Sequence, residues 1–260
     1  MSIKSTRNET FGHLRRQPQE TLMQETKAIT DMTIGEIVAE DYRTAAIFEK
    51  HGIDFCCGGK IPLATICASK AIDLACIARE IEDAKSTPVT RSENYAGWSL
   101  SFLIDYIINN HHTYLNENTK PIAVYARKIA SVHGGNHHEV VQISTIFDKL
   151  AGDLVEHLRE EEDVFFPAVK RAEAAIKENA KPEERDLETI QRSLAKLSRE
   201  HEVVGDAIHR IRHLARDFEI PVGVCNTFAV TYRKLNDFED DIHKHVHLEN
   251  NILFPKAAQL

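Results

Sequence analysis

Apolar residues first recur at helical spacing within residues 34–50. Thr33 and Glu36 form the capping-box pattern that starts a helix there, and Gly52 is typical of the left-handed residue that ends one. The preceding residues, 1–30, are polar and show no apolar period. We therefore expect a flexible N-terminal tail followed by a helix.

Two shorter helices follow in the hydrophobic pattern. Pro62 can open one that ends near residue 69, and Asp73 can cap another that ends near residue 85. Together with the first helix they make a small helical domain over residues 31–86, a size at which a hydrophobic core is marginal. The polar stretch 87–97 indicates a linker.

The rest of the chain, residues 98–260, has the pattern of long amphipathic helices separated by short turns. The predicted helices span residues 99–133, 137–177, 184–218 and 226–260. We expect Pro121 to kink or interrupt the first of them and Pro167 to bend the second. No segment shows convincing strand alternation, so the prediction is an all-α chain that ends in an up-down-up-down four-helix bundle.

Two stretches of the predicted bundle repeat one pattern, His-x3-Glu-x4-Phe-Pro. The second helix has it at His157 and Glu161, and the fourth has it at His245 and Glu249. Residues four apart lie on one face of a helix, so each copy projects an imidazole and a carboxylate together. One copy alone would be an ordinary surface pair. Two facing copies favour a dinuclear carboxylate site, for which iron is suited and manganese and zinc compete.

A dinuclear site also needs ligands from the first and third helices. The third offers His201, because His209 and His213 lie well round the helix from it. The first offers His111 and His112, and periodicity alone does not choose between them. A buried, hydrogen-bonded histidine is the ordinary alternative for each candidate.

Several charged residues flank these candidates. Asp153 and Asp241, one turn before the histidines of the two copies, could orient the imidazoles or be ordinary surface charges. Glu200 could line an access path or face water. The remaining neighbours are expected to be solvated: His243, His247, Glu160 and Glu162.

The pair Cys56-Cys57, followed by Gly58-Gly59, is the second unusual feature of the chain. Flanking glycines give the backbone freedom to expose a thiol, so Cys56 and Cys57 are candidate redox or iron-transfer thiols. The alternative is two small residues in a tight turn. The remaining cysteines lie in apolar contexts and are expected to be packing residues: Cys67, Cys76 and Cys225.

Composition limits the function classes. The chain of 260 residues has 32 Lys and Arg against 40 Asp and Glu, a net charge of -8 without a basic stripe, which argues against nucleic acid as a partner. We see no apolar run that could span a membrane and no secretory signal, so we expect a cytoplasmic protein. Five cysteines in that compartment favour reduced thiols over a disulfide framework.

We name the two copies of His-x3-Glu-x4-Phe-Pro the twin motif. The segment from Asp54 to Gly59, followed by a bundle with the twin motif, resembles the RIC family, di-iron proteins of the ScdA/YtfE type that repair iron-sulfur centres. The resemblance covers residues 31–260. It implies an ScdA-type N-terminal domain with the Cys-Cys motif and a hemerythrin-like bundle. It also implies a carboxylate-bridged pair of non-haem irons, with these ligands: His112, His157, His201, His245, Glu161 and Glu249.

The resemblance implies a function as well. Members of the family restore iron-sulfur clusters damaged by nitric oxide or oxidants, by donating iron or by reducing nitric oxide at the di-iron centre. The expected partners are damaged iron-sulfur proteins, with nitric oxide or oxygen as small ligands, and the N-terminal domain could also join two copies as a homodimer. The competing hypothesis is a hemerythrin-like sensor or carrier of oxygen or nitric oxide. The pair Cys56-Cys57 favours repair, because a carrier has no use for it.

Overall fold

The computed structural model describes residues 29–56, 58–86 and 94–260. Within these ranges the chain is helical, and its one β-type pairing is an isolated bridge between Thr33 and Pro62. The predicted all-α fold is therefore confirmed. The same ranges contain no helix long and apolar enough to cross a membrane. Most of the predicted N-terminal tail and Cys57 lie outside the described residues.

Short helices make up the N-terminal part. They are α1 (Ile34–Glu40), a 3-10 turn (Tyr42–Thr44), α2 (Ala45–Lys50), α3 (Leu63–Lys70) and α4 (Leu74–Lys85). The predicted capping box is present: Thr33 Oγ1 accepts from the backbone of Glu36 at 3.2 Å, and the Glu36 carboxylate accepts from the backbone of Thr33 at 2.7 Å. Asp73 caps α4 as predicted, and Gly52 ends α2 with a φ of 61°.

The prediction of one continuous helix over residues 34–50 is wrong. Asp41 leaves α1 with an extended backbone, and its carboxylate accepts from the backbone N–H of Arg43 at 3.1 Å. The same carboxylate pairs with the Arg43 guanidinium at 2.5 Å. Because a side chain that caps a new turn competes with the continuing helix, the chain stops at Asp41 and restarts.

Four long helical stretches form the bundle. The first is α5 (Leu100–Ile107), a π-helical turn (Ile108–His112) and α6 (Thr113–His133); the second is α7 (His138–Glu160), a π-helical turn (Glu161–Phe165) and α8 (Phe166–Lys177); the third is α9 (Glu184–Leu214); the fourth is α10 (Asn226–Leu248), a π-helical turn (Glu249–Leu253) and α11 (Phe254–Ala257). Stretches that follow each other in sequence pack together, and the fourth also packs against the first. This is the predicted up-down-up-down arrangement.

Three of the four stretches contain a π-helical turn, which the hydrophobic pattern does not predict. Helix α6 continues through Pro121, so the predicted interruption there is wrong. Pro167 and Pro255 lie at the start of α8 and α11, directly after a π-helical turn. Such turns have i to i+5 hydrogen bonds and are frequent at functional sites. Each of the three contains one of the proposed metal ligands.

The N-terminal part packs against the fourth stretch of the bundle. Asn251 donates a hydrogen bond to the carbonyl oxygen of Phe55 at 3.0 Å, and Asn250 donates one to that of Cys56 at 3.3 Å. One hydrophobic core includes residues of both parts. The limits of the two domains stay predictions. At the end of the predicted linker, Tyr95–Gly97 forms a 3-10 turn.

Candidate metal centre

The structure brings the six proposed ligands together inside the bundle, and we name them the His/Glu cluster. The first stretch supplies His112, the second His157 and Glu161, the third His201, and the fourth His245 and Glu249. None of the six is more than 4% exposed. Because they come from four helices, only the packed bundle assembles them.

Two overlapping groups make up the cluster. One contains His112 and His245, the other contains His157 and His201, and both share Glu161 and Glu249. Within a group, one ligand atom of each residue lies within 4.8 Å of all the others. Glu161 serves both groups, because its Oε1 lies 3.3 Å from Nε2 of His157 and its Oε2 lies 3.4 Å from Nε2 of His112.

Glu249 repeats this arrangement from the opposite helix. Its Oε1 lies 3.1 Å from Nε2 of His245, and its Oε2 lies 3.2 Å from Nε2 of His201. The oxygens of Glu249 and Glu161 are buried and have no hydrogen-bond donor among the described residues. Buried carboxylates without a hydrogen-bond donor are costly, so these residues fit a bound cation. The imidazole and carboxylate set suits a divalent transition metal at each position.

Hydrogen bonds at Nδ1 orient three of the four imidazoles of the cluster. The pairs are Glu162 with His112 at 2.7 Å, Glu200 with His157 at 2.8 Å, and Asn250 with His201 at 2.9 Å. A partner at Nδ1 leaves Nε2 to face the metal position. Nδ1 of His245 is buried and has no hydrogen-bond partner in the described part of the chain.

The expectation that Glu162 faces only water is wrong. Its side chain is 38% exposed, but one carboxylate oxygen holds His112. Regular helical spacing does not predict this contact, because Glu162 lies in a π-helical turn, which changes the direction of its residues. Glu200, expected to line an access path or to face water, lies 2.8 Å from Nδ1 of His157 and orients that ring. Asn250 was not a candidate, and no sequence signal marks it.

His111 and His112 are both buried, but only His112 belongs to the cluster. Nδ1 of His111 lies 2.9 Å from a carboxylate oxygen of Asp241, and its ring stacks on that of His245 with 6.0 Å between centroids. Asp153 is exposed. Neither acid therefore orients the histidine of its own copy, and packing makes the choice that periodicity leaves open.

The expectation that His243 and His247 are solvated is also wrong. They lie on a different face of α10 from His245, as helical spacing predicts, but the N-terminal part covers that face. The rings of Tyr42 and Phe55 lie 5.3 Å and 5.8 Å from the His247 ring. Burial lowers the pKa of His247 to about 3, so this imidazole is neutral.

The pKa values of the two histidines of the twin motif are shifted in opposite directions. Burial acts to lower the pKa of His157, but the charge of Glu161 and the hydrogen bond to Glu200 raise it to about 10. For His245 burial prevails, and the pKa is lowered. Burial acts to raise the pKa of Glu161, yet the imidazoles of His157 and His112 hold it well below its usual range. The neighbouring carboxylates therefore favour the protonated form of His157, whereas burial favours the neutral form of His245.

The candidate thiol Cys56 lies between α2 and α3 in a segment that we name the cysteine loop, of which the structure describes residues 53–56 and 58–60. Cys56 is 4% exposed, and its Sγ donates to Oδ1 of Asp54 at 3.1 Å. The expectation that Cys225 is a packing residue is wrong, because it is exposed at the start of α10. The hydrogen bond from His133, at 3.0 Å, lowers the pKa of the Cys225 thiol to about 7.

An open groove between α7 and α9 reaches the cluster. Its volume is about 760 Å³, and both His157 and its partner Glu200 line it. Glu200 is 37% exposed and lies 4.0 Å from Nζ of Lys196. One hydrogen-bonded pair thus stands between the solvent of the groove and the buried ligand atoms.

A four-helix bundle with a buried, shared His/Glu cluster defines a hemerythrin-type cation-binding protein. Residues 103–257 match the family model of the hemerythrin HHE cation-binding domain, and residues 30–85 match ScdA_N, a domain of unknown function. The chain therefore belongs to the hemerythrin HHE cation-binding family, with an ScdA_N domain before the bundle.

Similar proteins match both parts together. The chain is 30% identical over 225 residues to the iron-sulfur cluster repair protein ScdA of Staphylococcus haemolyticus, covering 86% of this chain and 97% of that protein. It is 28% identical over 226 residues to ScdA of Staphylococcus epidermidis, with the same coverage. It is 28% identical over 230 residues to the iron-sulfur cluster repair protein YtfE of Escherichia coli, covering 88% of this chain and 98% of that protein. The resemblance that the cysteine pair and the twin motif indicate is confirmed.

Proposed function

We propose that this chain is a di-iron protein that takes part in repairing iron-sulfur clusters damaged by nitrosative or oxidative stress. The observation that carries the proposal is the buried cluster in which Glu161 and Glu249 each turn one oxygen to one group and the other oxygen to the second group. Relatives that match over nearly their whole length are named iron-sulfur cluster repair proteins. Damaged iron-sulfur proteins of the cytoplasm are the proposed partners.

The residues of the cluster have separate tasks in this proposal. Glu161 and Glu249 would hold both metals, and two imidazoles would complete the ligands of each. Glu162, Glu200 and Asn250 keep three of the imidazoles turned inward. When bound, the iron pair supplies either the iron delivered to a damaged cluster or the electrons that reduce nitric oxide. The groove beside His157 gives nitric oxide or oxygen a route toward this centre.

Metal analysis of anaerobically purified protein tests the ligand set. We expect two irons per chain, and loss of iron in His112→Ala, because that side chain lies in the cluster. His111→Ala is the matched control, since the imidazole of His111 is also buried but lies against Asp241 and not in the cluster. Loss of iron in the His111 variant with retention in the His112 variant would show that the assignment is off by one residue.

The cysteine pair is tested separately from the metal. We expect Cys56→Ser combined with Cys57→Ser to keep the iron content and optical spectrum but to slow recovery of an iron-sulfur enzyme treated with nitric oxide. Wild-type and variant protein are loaded to equal iron before the assay. Equal recovery would remove the thiols from the mechanism, and loss of iron would mean that the N-terminal part helps to hold the metal.

A sensor or carrier of oxygen or nitric oxide is the second candidate, favoured by the solvent groove that reaches His157. Such a protein would bind the gas reversibly and leave the damaged enzyme inactive. The recovery assay with wild-type protein therefore decides between the two functions.

A further inference from the structure

Two consecutive asparagines tie the cysteine loop to the helix that carries Glu249. Nδ2 of Asn251 donates to the carbonyl oxygen of Phe55 at 3.0 Å, and Nδ2 of Asn250 donates to that of Cys56 at 3.3 Å. Both asparagines belong to the π-helical turn that begins at Glu249. Glu249 of the cluster and the two asparagines that bind the cysteine loop therefore lie in the same π-helical turn.

The chemistry of these contacts determines how the side chain of Asn250 is rotated. A main-chain carbonyl only accepts hydrogen bonds, so the group that faces Cys56 must be the NH2 group. The amide oxygen then faces Nδ1 of His201, at 2.9 Å. Because that oxygen also only accepts, Nδ1 of His201 carries a hydrogen, and Nε2, which lies 3.2 Å from Oε2 of Glu249, is the nitrogen left for a metal.

The orientation of the other two imidazoles, those of His112 and His157, does not depend on how the partner side chain is rotated. Glu162 and Glu200 are carboxylates, which accept a hydrogen bond through either oxygen. The amide of Asn250 has one accepting and one donating end. Rotated by half a turn, it would present NH2 to His201 and favour the tautomer whose Nε2 cannot bind a metal. The carbonyl of Cys56 selects the rotation that a metal requires.

We propose that Asn250 is a positioning residue through which the cysteine loop sets the tautomer of His201 and so couples the loop to metal binding. The inference rests on the proposed metal function. A change in the position of the cysteine loop would then affect the cluster through Asn250, without contact between the Cys56 thiol and a metal. The coupling is reciprocal, because a metal on Nε2 keeps the hydrogen on Nδ1 and so holds Asn250 and the loop.

Gly59 packs closely against its neighbours, so a substitution there can move the cysteine loop without changing Asn250. The backbone N–H of Gly35 donates to the carbonyl oxygen of Gly59 at 2.8 Å, and the side chain of Asn251 lies against both glycines. A Cβ on Gly59 would lie 2.5 Å from the carbonyl oxygen of Phe55 and 3.0 Å from Oδ1 of Asn251. Gly59→Ala therefore displaces the cysteine loop and alters no residue of the cluster.

The tautomer of His201 is the first readout, measured by nitrogen-15 NMR on metal-free protein. We expect Nδ1 to carry a hydrogen in the wild type and in the control Gly135→Ala, where a Cβ meets open space. Gly59→Ala and Asn250→Ala should show a mixture of tautomers. Asn250→Asp should show the hydrogen on Nδ1 again, because a carboxylate still accepts from Nδ1. An unchanged tautomer in Gly59→Ala, with the loop shown to be displaced by hydrogen exchange, would overturn the proposal.

Zinc binding is the second readout, with Zn²⁺ as a diamagnetic probe. Asn250→Ala should weaken Zn²⁺ binding about 10- to 100-fold, and Asn250→Asp should restore most of that loss. Asn251→Ala, which removes the bond to the Phe55 carbonyl and the contact with Nδ1 of His247 but no contact with a cluster residue, should have a smaller effect than Asn250→Ala. Equal Zn²⁺ affinity in wild type and Asn250→Ala would contradict the positioning role.

Thiol labelling measures the coupling itself. Zn²⁺ should slow alkylation of Cys56, followed by peptide mass spectrometry, in the wild type. It should have no effect in Asn250→Asp, which lacks the donor to the Cys56 carbonyl. Equal slowing in both proteins would refute the coupling. These readouts do not use iron or repair activity, so absence of iron from the purified protein would count against the proposed function alone.

Discussion

The two copies of His-x3-Glu-x4-Phe-Pro share one local structure, a regular helix followed by a π-helical turn, yet their surroundings differ. In the first copy, His157 is held by Glu200, which is 37% exposed and lines a groove. In the second copy, His245 is 1% exposed and its Nδ1 has no hydrogen-bond partner among the described residues. The N-terminal part covers the other face of that helix at His247.

This difference has an electrostatic consequence. The first copy lies among ionised carboxylates, which raise the pKa of His157 to about 10 despite its burial. In the second copy burial prevails and lowers the pKa of His245. A ligand motif therefore determines which atoms can meet, whereas the packing around it determines their charge.

The largest effect should come from the carboxylates, where the two copies are equivalent. Glu161→Ala and Glu249→Ala should each lose both irons, because each carboxylate faces both metal positions. Glu156→Ala, whose side chain is 75% exposed, is the control. Metal analysis is the measurement, and a variant that keeps one iron per chain would show that the carboxylate serves a single metal.

A dependence on pH should separate the histidines of the two copies. At neutral pH His157 is protonated in metal-free protein, so a metal must displace its proton, whereas the lowered pKa of His245 leaves none to displace. Affinity for Zn²⁺ should fall about tenfold for each unit that the pH is lowered below the His157 pKa. Competition titrations at several pH values measure this slope, and a flat profile over that range would mean that His157 is neutral.

Removing the Glu200 charge should affect the first copy alone. Glu200→Gln should weaken metal binding about 10-fold, because a neutral amide holds the Nδ1 hydrogen of His157 less well and can rotate. Glu202→Gln, an exposed neighbour on the same helix, is the control. Equal affinities of the two variants would mean that the Glu200 contact does not orient the ligand.

The acids one turn before each motif histidine should give the smallest effects. Asp153→Ala should change neither iron content nor melting temperature, because this side chain is exposed. Asp241→Ala removes the partner of buried His111 and should cost about 1 kcal/mol of stability. Iron content should stay the same in both. Loss of iron in Asp241→Ala would place His111 and its partner within the metal centre.

The sequence by itself was enough for the long helices of the bundle and for the two His-Glu pairs of the cluster. Helical spacing depends on local geometry, so the twin motif was sufficient to predict that His157 lies beside Glu161 and His245 beside Glu249. The capping residues Thr33 and Asp73 act within one turn and are placed as predicted. The same local rules predicted the four long helices of the bundle.

Only the tertiary structure places His112, and not His111, in the cluster, because both lie beside an apolar row and Asp241 of the fourth stretch pairs with His111. It also decided the burial of His247, which depends on the N-terminal part covering α10. Glu162 and Asn250 became partners of the ligands through π-helical turns, which regular spacing does not foresee. Each of these outcomes depends on where a second element lies, and a helical period contains no information about that.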